Sequence, residues 1–157
     1  MNAIRLLVLI TALPTLCFSF IKSDCKPCPP SWLQFDCKCY RAFQVPKTWM
    51  EAEDTCALFG AHLMSIYDDS EAEFFMALAN STILGTTVWT GGFKREREKH
   101  YQWTDGSRWI FPLEVPEHPG DVDICVALSY YRSPWKSLLC SAQRPFICQK
   151  AIDYDEI

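Results

Sequence analysis

Nine cysteines are spread along this 157-residue chain, and their placement limits its fold more than any other feature. Four crowd together as Cys25, Cys28, Cys37 and Cys39, Cys56 stands alone, and Cys125, Cys140 and Cys148 fall near the end. Cys17 belongs to a different kind of segment. Arg5 precedes an eleven-residue, mainly apolar run, Leu6 to Leu16, followed by the small residues Cys17 and Ser19. That order reads as a secretory signal peptide over 1–19, with cleavage as late as residue 23, and the run is too short to span a bilayer. A short buried helix is the competing reading. With the signal removed, eight cysteines remain, and an even number in an oxidising compartment points to bridges rather than to metal or redox chemistry.

The mature chain of about 138 residues fits one domain and suffices for a sizeable core. Hydrophobic residues make up 49% and aromatic residues 14% of the sequence, which marks a globular chain. A formal charge of −4 supplies no reason to expect nucleic acid or an anionic membrane as the partner. Three readings compete for the cluster Cys25 to Cys39. A four-cysteine zinc knot has usable spacing, and Cys25-Lys-Pro-Cys28 has the form of a redox pair. Export argues for structural disulfides instead. Prolines forbid a helix there, so Trp32 to Phe43 is expected to form a short hairpin.

Thr48 and Glu51 form a capping box that opens a helix, with Gly60 to close it. Trp49, Ala52, Cys56 and Phe59 recur at steps of three and four, so one apolar stripe carries Cys56 inward. Ala61 to Ile66 alternates as a strand does. A second helix is expected to start with Ser70 capping toward Glu73, to bury Phe74, Phe75 and Leu78, and to end near Asn80. Asn80-Ser-Thr82 is a glycosylation sequon, meaningful in an exported chain. Val88 to Phe93 reads as a strand whose two glycines admit close backbone approach. Lys94 to His100 mixes signs and reads as a solvated loop, with a sulfated-glycan contact as the lesser reading. Tyr101 to Trp103 reads as a strand and Asp105-Gly106 as a turn. From Ser107 to Ile124 periodicity stops. Prolines punctuate a long irregular loop carrying Glu114, Glu117, Asp121 and Asp123, and loops of this length are usually functional.

Taken in order, Cys28-Pro-Pro-Ser-Trp32, Cys39-Tyr40, the Trp49 to Cys56 helix, His62-Leu63, Trp89-Thr-Gly-Gly92, Trp103-Thr-Asp-Gly106, Cys125-Val126, Trp135, Cys140 and Phe146-Ile-Cys148 resemble the C-type lectin-like domain family. The resemblance spans 28–150, between a short N-terminal segment 20–27 and an acidic tail 151–157. It implies an α+β double-loop fold, two helices flanking antiparallel sheets, chain ends paired and disulfide-stapled. The implied bridges are Cys56 with Cys148, Cys125 with Cys140, and Cys28 with Cys39. Cys25 and Cys37 are left to pair with each other or to bridge between chains. If Cys28 faced Cys39 in a simple antiparallel hairpin, Cys37 would oppose Pro30, so a fourth internal bridge needs Lys26 and Pro27 to fold back.

In sugar-binding members of that family a calcium ion in the long loop holds two sugar hydroxyls. Calcium takes about six to eight hard oxygens, from carboxylates and amides. Here the corresponding positions read Glu117-His118-Pro119, Asp123 and Lys136-Ser137. Only Glu117 and Asp123 keep a carboxylate, and Lys136 brings an ammonium where a neutral ligand stands in the family. The sugar-coordinating calcium site is therefore expected to be lost, with no metal or other cofactor, and Lys136 is expected either to pair with Asp123 or Glu117 or to stand exposed. A different calcium site built from Glu114, Glu117, Asp121 and Asp123 is the alternative. The expected function is that of a secreted, extracellular binding protein for a glycan or protein ligand. Glu117, His118, Asp123, Lys136, Tyr130, Tyr131 and Trp109 are the contact candidates, and Trp109 and Phe111 alternatively pack beneath the loop. A calcium-dependent lectin and a mineral- or ice-adsorbing matrix protein are the competing functions. No membrane span is expected, and a disulfide-linked or non-covalent oligomer stays open. His62, His100 and His118 stand in no catalytic motif, and His62 falls at a family core position, so no enzyme is expected.

Overall fold

A computed structural model describes residues 25–83, 87–111, 114–120, 122–129 and 135–152. The expected signal segment and residues 153–157 of the tail lie outside them. The elements in chain order are β1 (Leu33–Phe35), β2 (Lys38–Lys47), α1 (Trp49–Ala57), β3 (His62–Leu63), α2 (Asp69–Ile83), β4 (Val88–Lys94), β5 (Gln102–Trp103), β6 (Ile124–Leu128), β7 (Trp135–Leu139) and β8 (Arg144–Ala151).

Helix α1 begins where its capping box puts it. Thr48 accepts the Glu51 N–H, and the Glu51 carboxylate accepts the Thr48 N–H at 2.9 Å and its hydroxyl at 2.8 Å. Beyond the helix Gly60 turns at φ +61°, a left-handed conformation that suits glycine. Helix α2 departs from expectation at both ends. Its cap is Asp68, whose Oδ1 accepts the Glu71 N–H at 2.9 Å and the Ser70 hydroxyl at 2.6 Å, so Ser70 serves the cap and does not supply it. The helix also continues past Asn80 to Ile83, which leaves Asn80 exposed in its last turn.

The strands form one sheet in the order β1-β2-β8-β4-β6-β7, with β3 on β8 and β5 on β4. Every pairing is antiparallel except β4 with β8, where Trp89 meets Phe146 in parallel, so the sheet is mixed. The chain ends close on each other as β2 runs against β8, from Lys38 opposite Ala151 to Phe43 opposite Phe146. Both faces of the central strands are covered, so they read as unbroken apolar runs. Val126, Leu128 and Ile147 point with Phe75 and Leu78 of α2 into one core. Cys125, Ala127, Phe146 and Cys148 point with Trp49, Ala52 and Cys56 of α1 into the other.

Only His62–Leu63 of the segment 61–66 is strand. Met64, Ser65 and Ile66 are buried in succession because the chain there is squeezed between two strands: Met64 donates to the Ile147 carbonyl and accepts from the Gly91 N–H. His62 lies outside the core, against its expected place. Leu63 takes the inward position, and His62 Nδ1 turns out to Glu53 at 2.6 Å.

All eight expected cysteines are paired: Cys56 with Cys148, Cys125 with Cys140, Cys28 with Cys39 and Cys25 with Cys37. None of the eight is left for an interchain bond. The register that opposed Cys37 to Pro30 does not occur, because Cys39 faces Gln34 in the hairpin and Cys28 lies outside the ladder. Since 25 joins 37 and 28 joins 39, the leading segment runs alongside the start of β2 in the same sense.

Across a separation of 92 residues the Cys56–Cys148 bridge removes unfolded-state entropy equivalent to about 4.6 kcal/mol on the chain-entropy model. Replacing both cysteines with alanine is expected to lower unfolding stability by about 2–5 kcal/mol, read from the denaturant midpoint. The helix caps carry a pH dependence. Hydrogen bonds from the Thr48 hydroxyl and N–H hold the Glu51 carboxyl below its usual range. Those from the Ser70 hydroxyl and the Glu71 N–H do the same for Asp68. Groups whose pKa falls on folding stabilise above their unfolded value, near about 4, and lose that contribution as pH drops through the folded value. Stability is therefore expected to decline in acid below about pH 4, with a shallower slope in a Glu51→Gln/Asp68→Asn variant, measured by denaturant melts across that range.

Candidate functional site

Aromatic side chains fasten the long loop to the body. The Trp109 ring stacks on Trp103 at 4.3 Å between centroids and on Tyr101 at 5.2 Å. Phe111 meets the edge of Trp135 at 5.7 Å, and Val115 packs against the same core. Gly92 makes room for this: a Cβ there would lie 2.9 Å from the Val126 Cβ and 3.0 Å from the Trp109 ring. Trp109 and Phe111 are thus half-buried anchors, the second of the two roles the sequence leaves them.

Polar contacts complete the fastening. The Ser137 hydroxyl donates to the Pro116 carbonyl and lies 3.4 Å from the Tyr101 hydroxyl. Asp123 Oδ1 accepts the Glu96 N–H at 2.8 Å, which ties the long loop to the basic loop after β4. Sequence reading missed Tyr101 and Ser137, whose roles arise only when β5 and β7 converge. The Trp103 motif beside Tyr101 is the sole hint of it in the sequence.

The positions that hold calcium in the resemblance differ here in what occupies them and in what they bind. Glu117 and Asp123 are exposed, Pro119 has no side-chain oxygen, and Asp123 is engaged with Glu96. Lys136 faces Ala127 across the ladder while Ser137 faces Val126, so strand alternation sends their side chains to opposite sides of the sheet. Lys136 accordingly forms no ion pair with Asp123 or Glu117 among the described residues, which removes its expected pairing. Among those residues no three His, Cys, Asp or Glu side chains cluster as metal ligands. His118 is half-buried, with Nδ1 shielded and unpartnered. Tyr130, Tyr131 and Asp121 lie outside the described residues. Ile110, Val122 and Leu139 are exposed apolar side chains on the loop and the adjoining end of β7.

Two helices against a mixed sheet, paired chain ends, four bridges and a side-chain-anchored loop define a lectin-like binding domain. Residues 45–150 match the family described as Lectin C-type domain, and the chain belongs to it. Its relatives include Snaclec 1 of Bitis arietans, 32% identical over 124 residues, covering 78% of this chain and 82% of that one. C-type lectin BML-1 of Bungarus multicinctus is 32% identical over 135 residues, covering 81% and 85%. Among solved structures, a calcium-independent type II antifreeze protein has a TM-score of 0.69 at 27% identity, covering 81% of this chain and 96% of that one.

Truncating Trp109 to alanine should cost about 2–3 kcal/mol, less than the about 3–5 of a fully buried ring, and raise amide exchange through 107–120. Asp123→Ala should speed exchange at the Glu96 amide, whereas Lys136→Met should leave loop exchange unchanged.

Proposed function

We propose that the protein is a secreted binding module that recognises a glycan or protein ligand through its long-loop face without a calcium bridge. The observation that carries this reading is the division of labour around the loop. Trp109, Phe111 and Val115 supply the anchoring, while the oxygen donors a cation needs are engaged, as at Asp123, or replaced, as at Pro119 and Lys136. Four carboxylates in the loop sequence are too few without convergence, since calcium demands about six to eight oxygens at about 2.3–2.6 Å. That a calcium-independent type II antifreeze protein shares this fold supports the view that the fold holds its shape without the ion.

Exposed Glu117, Ile110 and Val122 form the contact face. Secretion is supported by the leading apolar run and by four bridges, which persist in oxidising compartments. No described helix is long and apolar enough to cross a membrane. Attachment of a glycan to exposed Asn80 fits the same route.

A glycan array and a panel of extracellular proteins, each probed with calcium and with chelator, tests the proposal. Binding that survives the chelator is expected, together with a melting temperature unmoved by calcium. Chelator-sensitive binding restored by calcium, or a melting shift of several degrees, would overturn it.

A further inference from the structure

Strand alternation gathers cations and rings on one face of the paired chain ends. Arg41 opposes Cys148 and Phe43 opposes Phe146, both in the core beneath α1, and Lys150 follows Cys148 by two residues. All three side chains therefore turn to the α1 side of the sheet. Phe59, just past α1, joins them. The Arg41 guanidinium carbon lies 5.0 Å from the Phe43 ring centroid and 4.9 Å from that of Phe59. Lys150 Nζ lies 4.6 Å from the Trp32 ring centroid and 3.5 Å from the Phe59 carbonyl oxygen, and the Trp32 and Phe59 rings meet edge to face at 6.2 Å.

The rings position these cations without neutralising them. Among the described residues neither Arg41 nor Lys150 is paired with a carboxylate. Glu53 of α1 spends its two oxygens on His62 and the Leu63 N–H, and the exposed Asp54 pairs with neither cation. An aromatic face attracts a cation but supplies no lone pair in the plane of a guanidinium, so the N–H fork of Arg41 is held between two rings with its hydrogen-bonding capacity unspent. A fork fixed in this way suits a carboxylate, which it meets with two parallel hydrogen bonds.

Two further features indicate what carries the carboxylate. Phe59 is 39% exposed and its chain neighbour Leu58 is 85% exposed, so apolar surface accompanies the charges. Tryptophan and arginine are also the residue types that dominate protein interfaces. Strand β1 pairs with β2 only from Lys38 to Tyr40, so beyond Tyr40 the outer edge of β2 carries no strand among the described residues. Such an edge presents main-chain donors and acceptors in a row that another polypeptide matches and a sugar does not.

We infer that this face docks an acidic segment of a partner protein. One carboxylate pairs with the Arg41 guanidinium, a second reaches Lys150, and an apolar side chain between them lies against Phe59 and Leu58. In an extended segment residues i, i+2 and i+4 share a face, so the recognised pattern is acid, apolar, acid at alternate positions. A sulfated sugar would match the cations but would set hydroxyls against apolar surface. No residue of this face belongs to 107–124, so the surface stands or falls separately from the long-loop reading.

The test is a titration of the full mature protein with a synthetic peptide containing Asp-Ser-Leu-Ser-Asp, its asparagine counterpart and a sulfated disaccharide, followed by amide chemical shifts and calorimetry. Saturable binding of the aspartate peptide is expected, with shifts at 41–43, 58–60 and 148–151 and weakening at higher salt. Arg41→Gln should weaken it about tenfold, and Arg41→Lys, which keeps the charge but not the planar fork, by nearly as much. Leu58→Ser, at a site outside the core, should weaken it about threefold with the melting temperature unchanged, while Glu117→Gln has no effect. Equal binding of the asparagine peptide, preference for the sulfated sugar, shifts confined to 94–100 or 107–123, or no saturation at millimolar peptide would each overturn the assignment. Self-association abolished by Arg41→Gln would assign the face to a second copy of the chain, and peptide affinity that rises when Asp153, Asp155 and Glu156 are neutralised would assign it to the chain's own tail; either result overturns the partner reading.

Discussion

The clasp between the chain's two ends carries the rest of the molecule. Strands β2 and β8 lie antiparallel from Lys38 and Ala151 to Phe43 and Phe146, and the Cys56–Cys148 bridge pins α1 to the same last strand. Because β8 also meets β3 and β4, the clasp fixes the strand on which both halves of the sheet assemble. Each face of that strand serves a different core: Ile147 turns toward α2, Phe146 and Cys148 toward α1. One ladder thus decides which helix lies on which side.

A body held this firmly lets the long loop be fastened by aromatic packing and a few hydrogen bonds. Trp109 enters the space left by Gly92, and Ser137 and Tyr101 meet where β5 and β7 converge. Packing of this kind is non-directional and needs only area excluded from water, whereas a calcium site needs oxygens converging within a narrow shell. Glu117, Ile110 and Val122 of this loop stay exposed outside those contacts. At the clasp itself polar residues bind one another: Ser65 joins Gln149 and Asp105, while Glu71 takes Lys38 Nζ and the Tyr67 N–H.

Much of the fold is legible in order along the chain. The Thr48–Glu51 box and the inward turns of Trp49, Ala52 and Cys56 depend on neighbours a few residues apart and lie where their spacing puts them, whereas Phe59, expected on the same stripe, falls past the helix end and is exposed. The second cap was misread because Asp68 and Ser70 are both capping residues. Which of them accepts is settled by Glu71, whose carboxylate is drawn away to Lys38, 33 residues earlier, and to the Tyr67 N–H. His62 looked like a core residue by position but yields that place to Leu63, since a strand can turn only every second side chain inward.

By itself the sequence determined the family, the start of the first helix, the cysteine count and the loss of oxygen donors from the long loop, because each rests on residue identity and local spacing. Tertiary structure alone decided that Trp109 is an anchor, that Lys136 and Ser137 lie on opposite faces of β7, and that Ser65, Gln149 and Asp105 form one hydrogen-bonded group beside β8. Those outcomes depend on groups as far apart as Ser65 and Gln149, 84 residues along the chain, and only the folded sheet brings them within hydrogen-bonding distance.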